Sequence, residues 1–275
     1  MIDAARRDRV LEAARNRVLI MGILNVTPDS FSDGGRYDAP GAALAQARRM
    51  VEAGADILDV GGESTRPGAE PVSAEEELAR VIPVIRLLTS ELDVPLSIDT
   101  MKAQVARAAV AAGAVIINDV TGLLADPDMP DAAAETEAGV VITYNRGRTD
   151  PLLDAVRDME AFFEAAVARA QEGGILRERI WLDPGIGFAK AQEQNLELIS
   201  HLESLARFGL PVLAGLSRKS FLAHVTGRPV QERLAGTIAA NLIAVYRGAR
   251  ILRVHDVAEH ADALKVFEAT GTKRA

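Results

Sequence analysis

The feature that most constrains this chain is a repeat. Short apolar runs rich in β-branched residues recur eight times, at 18–26, at the head of 56–68, and at 95–99, 115–120, 140–145, 180–183, 211–216 and 250–254. The spacing is roughly 34 residues, and helix-forming stretches lie between the runs. The stretches are 42–53, a helix capped by Ser73 with Glu76 at the capping-box position, 102–112, 129–137, 152–172, 192–208, 232–246 and 258–269. Strands alternating with helices imply a parallel sheet. Eight such units in 275 residues fit a closed (β/α)8 TIM barrel, which typically takes about 250. The alternative is an open doubly wound sheet. No Gly-x-Gly-x-x-Gly follows the first run, which weakens it. The barrel domain is expected over 18–275. Residues 1–17, MIDAARRDRVLEAARNR, read as a short solvated helix or an arm.

In such a barrel the C-terminal ends of all eight strands meet on one rim, where active sites sit. Polar residues stand at those ends. Asn25, Asp99, Asn118 and Asp183 are amides and acids without a basic neighbour in sequence. They suit a planar heterocycle with several ring donors and acceptors. Arg66, Lys219, Arg253 and His255 suit an anion such as diphosphate. The second strand runs into DILDVGGESTRPG, 56–68, with Asp59 near its end. Gly61 and Gly62 free the backbone there, Arg66 offers a fork of donors, and Pro67-Gly68 sets a turn. Asn25 with nearby acids could also hold Mg2+, which takes oxygen ligands and is usually shared with substrate phosphate.

Composition removes other classes. The net charge of -8 argues against a nucleic-acid or anionic-membrane binder. Without cysteine there is no disulfide, thiolate nucleophile or cysteine zinc site. No apolar run reaches the roughly 18 residues of a membrane span, and the N-terminus has no apolar signal core. A soluble cytoplasmic protein is the expectation.

The motifs MGILNVTPDSFSDGG (21–35), DILDVGGESTRPGA (56–69), SIDT (97–100), INDVTG (117–122), LDPGIGFAK (182–190), GLSRKSF (215–221) and RVHDV (253–257) together resemble the dihydropteroate synthase family of pterin-binding barrels. The resemblance implies a transferase of folate biosynthesis. It would join 7,8-dihydropterin-6-ylmethyl diphosphate to p-aminobenzoate, giving 7,8-dihydropteroate and diphosphate. It implies that Asp99, Asn118, Asp183 and Lys219 hold the pterin. Asn25 would bind Mg2+, and with Thr65, Arg66, Arg253 and His255 meet the diphosphate. Phe31, Pro67, Phe188, Ser217 and Lys219 would form the p-aminobenzoate site. Asp99, Asp183, Lys219 and Arg253 would carry catalysis. A homodimer is implied too. Two positions depart from the family pattern. Thr143-Tyr144-Asn145 stands where the family commonly has Met-His-Met, and Ala189 replaces a glycine, a minor change if the backbone there has negative φ. Two further readings share the barrel. A methyltransferase acting from methyltetrahydrofolate to a corrinoid protein binds no diphosphate, so ESTRPG, SRK and RVHD speak against it. The other is a non-catalytic pterin-binding barrel.

Overall fold

The computed structural model describes residues 2–27, 39–64 and 70–271. Among them run eight strands: β1 (Leu19–Asn25), β2 (Ile57–Gly61), β3 (Leu96–Asp99), β4 (Ile116–Asp119), β5 (Gly139–Thr143), β6 (Ile180–Asp183), β7 (Leu213–Ala214) and β8 (Ile251–Val254). Helix α1 (Ala4–Asn16) precedes them. Between and after them come α2 (Ala39–Glu52), α3 (Ala74–Glu91), α4 (Ala103–Ala112), α5 (Met129–Thr136), α6 (Ala155–Glu172), α7 (Gln192–Ser200), α8 (Ser220–Thr226), α9 (Leu234–Tyr246) and α10 (Val257–Ala269).

All strand pairs are parallel, in the order β6-β5-β4-β3-β2-β1-β8-β7. A bridge between Leu182 and Val212, with Leu182 N donating to Pro211 O at 3.0 Å, joins the two ends. The sheet is thereby the expected (β/α)8 barrel.

Strand side chains alternate faces, and the burial divides accordingly. Leu58, Val60, Leu96, Ile98, Ile117, Val140, Ile142, Leu182 and Leu252 pack outward against the helices. Leu19, Met21, Ile57, Ile116, Val141, Trp181, Leu213 and Ile251 fill the barrel interior. That inner cluster also contains Val10, Leu11 and Ala14 of α1. Of the two alternatives for the N-terminus, the helix forms, but it is not a solvated one. Its apolar face closes the floor of the barrel, and Arg7, itself buried, donates to Glu137 O at 2.9 Å.

Other expectations need adjustment. The helix expected over 192–208 ends at Ser200. His201 leaves the helical region (φ -117, ψ 24) and a 3-10 turn follows over Leu202–Phe208. Ser200 Oγ accounts for part of this, because it bonds the His201 ring and Glu197 O, in competition with the ladder. The ladder of β7 shrinks to two residues. Helix α8, seven residues ended by Gly227 at φ 69, was not anticipated, being too short to establish a period. Ser73 caps α3 through its Oγ, which accepts from Glu76 N at 3.2 Å, while the Glu76 carboxylate turns to Arg80.

Candidate active site

The same alternation that fills the barrel floor with apolar groups puts polar ones at its mouth. Asn25, Gly61, Asp99 and Asn118 stand in one register across β1 to β4. Thr143 and Asp183 pair across β5 and β6. A Cβ on Gly61 would lie 3.5 Å from Asn25 Oδ1 and 3.6 Å from Asp99 Cβ. Glycine there keeps the mouth open between them.

One level lower, Asp59 is fully buried. Its Oδ2 accepts from Asn118 Nδ2 at 3.0 Å and from Arg253 Nε at 2.6 Å. Arg253 Nη2 donates to Asp99 Oδ2 at 2.5 Å. This corrects the division into a neutral-acidic group and a separate cationic one: Arg253 sits among the acids, and Asp99 does have a basic partner. Burial pushes Asp99 up to about 7, with Arg253 opposing. Burial also works against the Arg253 charge, but Asp59 and Asp99 outweigh it and hold its pKa above the ordinary value.

Across the mouth, burial pushes Asp183 up against the attraction of Lys219, and Asp183 Oδ1 accepts from Gly185 N at 2.8 Å. Lys219 is pushed down to about 8 by burial, with Asp183 opposing. Its Nζ donates to Ile186 O and lies 4.3 Å from the centre of the Phe188 ring. Gly187, at φ 86, passes so close that a Cβ would lie 2.8 Å from Lys219 Cδ. Ser217 Oγ and His255 Nδ1 meet at 2.9 Å.

Several buried polar atoms on inward-facing positions have no protein partner: Asp59 Oδ1, Ser97 Oγ, Asp99 Oδ1, Asn118 Oδ1, Thr143 Oγ1 and Trp181 Nε1. Buried polar atoms normally have partners, so their convergence marks a binding pocket for a hydrogen-bonding molecule. Because Asn118 Nδ2 is committed to Asp59, its Oδ1 is the atom left for a ligand, and it accepts. With Asp99 and Asp183 the pocket is rich in acceptors and asks for a ligand carrying several N–H donors.

The structure thus brings together Asn25, Asp99, Asn118, Asp183, Phe188, Ser217, Lys219, Arg253 and His255 on one rim. Phe31, Thr65, Arg66 and Pro67 lie outside the described residues. The described residues on either side of the last three are bonded to each other. Glu63 accepts from Val72 N at 3.1 Å and from Lys102 Nζ at 2.5 Å, and Lys102 also reaches buried Glu77 at 2.6 Å.

Asp59 was the site residue left without a role. An acid inside an otherwise apolar strand, two residues before Gly61, was its signal. The strand-five departure places the Thr143 hydroxyl inside the barrel, whereas Tyr144 points outward to Phe162 and Phe163 and donates to Asp158 Oδ2 at 2.6 Å. Asn145 donates to Val120 O at 3.0 Å. Ala189 has φ 46, so the condition for a minor change is not met.

No group of three or more His, Asp or Glu side chains able to hold a metal occurs among the described residues. Asn25 offers a single oxygen at the mouth. That fits an ion such as Mg2+, which keeps most of its waters and takes its other ligands from phosphate.

Comparison with known proteins adds the following. The sequence profile of the pterin binding enzyme family matches residues 21–255. A dihydropteroate synthase of Synechocystis sp. is 47% identical over 260 residues, covering 92% of this chain and 90% of that protein. The Xanthomonas albilineans dihydropteroate synthase, solved with 4-aminobenzoic acid, superposes with a TM-score of 0.90 at 48% identity, covering 94% of this chain and 95% of that one. The same enzyme in complex with 7,8-dihydropteroate gives 0.87 at 46% identity, again over 94% and 95%.

Proposed function

The chain belongs to the dihydropteroate synthase family of pterin-binding enzymes, and on that premise we propose how its rim joins 7,8-dihydropterin-6-ylmethyl diphosphate to p-aminobenzoate. The observation that carries the reading is the set of inward acceptors left without partners, Asp99 Oδ1 and Asn118 Oδ1, with Asp183 facing them. Asn118 Oδ1 and the two carboxylates accept from the pterin N–H groups, and Lys219 donates to its acceptor edge.

In the reaction the methylene C–O bond breaks and the leaving diphosphate takes its electron pair. The arylamine nitrogen gives its pair to the methylene carbon and then loses a proton to solvent. The arylamine is a weak nucleophile, so positive charge builds on the pterin methylene before the new bond is made. Asp99 and Asp183 stabilise that charge where it develops. Two of the five Arg253 donors are committed to Asp59 and Asp99, which leaves three for the departing anion. His255, fixed through Ser217, and Arg66 and Thr65 bind the same anion. Phe188, Ser217 and Lys219, with Phe31 and Pro67, receive the arylamine. Asn25 would hold Mg2+, which when bound neutralises charge on the leaving diphosphate. The resemblance also supports a cytoplasmic homodimer, which sedimentation at graded concentrations checks.

The test is turnover. The protein with Mg2+, the pterin diphosphate and p-aminobenzoate should release diphosphate and dihydropteroate in equal amounts. Absence of both products from a protein that binds the pterin would leave only a binding barrel. A chelator that changes neither diphosphate affinity nor rate would remove the metal from the reading.

A further inference from the structure

We propose that Lys190 is a positioning residue for the arylamine side of the rim: its buried ammonium is the template around which the β6–α7 connection folds, and it thereby fixes Phe188 and Lys219. The inference rests on the family reading only for the identity of the second substrate.

The connection carries left-handed residues at alternate positions, Gly185 at φ 64, Gly187 at φ 86 and Ala189 at φ 46. Such a backbone curls its carbonyls toward one point. Lys190 Nζ occupies that point. It donates to Gly185 O at 2.9 Å, Phe188 O at 3.0 Å and, across the gap from β5, Tyr144 O at 2.8 Å. Those three bonds use every donor an ammonium has. The Tyr144 ring covers it, 4.2 Å from Nζ to the ring centre. The two backbones are pressed together here, since a Cβ on Gly185 would lie 2.0 Å from Tyr144 O. Without these N–H donors, three carbonyl oxygens would converge with their negative ends on one spot; burial pushes Lys190 down to about 7, with Asp183 opposing.

The consequence reaches the rim through two contacts. Phe188, whose carbonyl Lys190 holds, lies beneath Lys219 Nζ, and Ile186 O in the same connection accepts from that Nζ. A shift of this connection therefore moves an arylamine-contacting ring and the amine above it. The Asp59, Asp99, Asn118 and Arg253 cluster stands on β2, β3, β4 and β8 and makes no contact with Lys190. Lys190 itself donates only to backbone carbonyls, so its role is exercised through Phe188 and Lys219.

The test is Lys190→Met, which keeps most of the length of the side chain and removes its donors, with Lys190→Gln as a milder variant that still offers two N–H groups. The KM for p-aminobenzoate should rise about tenfold or more in Lys190→Met, with kcat changed far less and pterin affinity weakened by a clearly smaller factor, because Lys219 and Asp183 also serve the pterin while the rest of its pocket stands on other strands. Pterin affinity is read from the fluorescence of Trp181, the single tryptophan, inside the barrel beside Asp183. Lys190→Gln should show the same split at smaller amplitude, and it decides the matter should Lys190→Met not fold. An unchanged arylamine KM, or equal losses for arylamine and pterin, would overturn the proposal. Failure of the family reading looks different, because the wild-type protein would then turn over neither substrate.

Discussion

Ala189→Gly should make the protein more stable, against the usual direction of such a change. Ala189 is held at φ 46, where its Cβ crowds the following carbonyl at a cost of about 1–2 kcal/mol. Glycine removes that strain. The more flexible unfolded chain takes back about 0.4–1 kcal/mol. The net gain is therefore about 0.5–1 kcal/mol, and for a chain of this size Tm should rise by about 1–3 °C. Ala165 supplies the control. It lies exposed in the middle of α6, where alanine is the best residue, so Ala165→Gly should cost about 1 kcal/mol and lower Tm by about 2–4 °C. Scanning calorimetry of both variants beside wild type reads two shifts of opposite sign. A fall in Tm for Ala189→Gly comparable with that for Ala165→Gly would refute the strain at 189, and with it the left-handed alternation of the connection.

Two further outcomes concern titration. Asp99 is pushed up from 3.8 to about 7, so the folded state holds this proton more tightly than the unfolded chain, and the charge costs stability progressively as pH rises through that window. Asp99→Asn should then lose most turnover yet melt higher than wild type at pH 8, with the gap closing toward pH 4; a folded variant with wild-type turnover would take Asp99 out of the chemistry. His260, buried between α9 and α10 with its ring nitrogens on Asn241 and Asp256 O, is shifted the other way, burial holding it below 6.5. It stays neutral in the fold, so its stabilisation is complete above pH 6.5 and is lost as pH falls through its lowered value. His260→Gln should flatten the acid side of the denaturant midpoint against pH, and parallel curves for variant and wild type would show that another group sets that slope.

The barrel was legible because its signals are local: an apolar run, a polar residue at its end, a helix. The floor and mouth of the interior follow from a period of two, and that period was available for more than it was used for. Counting back by twos from Gly61 puts Asp59 inside the barrel; counting forward by twos from Ile251 puts Arg253 inside as well. Sorting the rim by charge separated Arg253 from the acids, whereas sorting by face would have joined it to Asp59, 194 residues away. The floor was hidden for another reason. Val10, Leu11 and Ala14 form one helical stripe, but the arginines and aspartates around them dominate the composition of residues 1–17. The left-handed turn at Ala189 had no sequence signal except the glycine that the family pattern puts there.

The charges of the pocket suggest why Asp99 is kept under strain. Asp59 and Asp99 share one guanidinium, and Asp183 faces the Lys219 amine, so on the Asp59–Asp99 side two carboxylates meet one cation and, counting Lys219 but not the Lys190 amine enclosed by carbonyls, three carboxylates meet two cations. Before reaction the third negative charge is unmatched in a buried place, and repulsion from Asp59 adds to the burial that pushes Asp99 up. A neutral pterin does not relieve it. A pterin with positive charge growing on its methylene does, because that charge completes the balance. The pocket is thus better matched to the state in which the C–O bond is breaking than to the bound substrate, the condition under which binding energy accelerates a step. The same arrangement cannot also serve the anion leaving the other end of that bond. That end needs positive charge of its own, which in the proposed reading would come from Arg66, the uncommitted donors of Arg253 and a Mg2+ held at Asn25. The two ends of the breaking bond therefore require fields of opposite sign a few ångströms apart, and Arg253, bonded to the acids on one side and open on the other, stands where the sign changes.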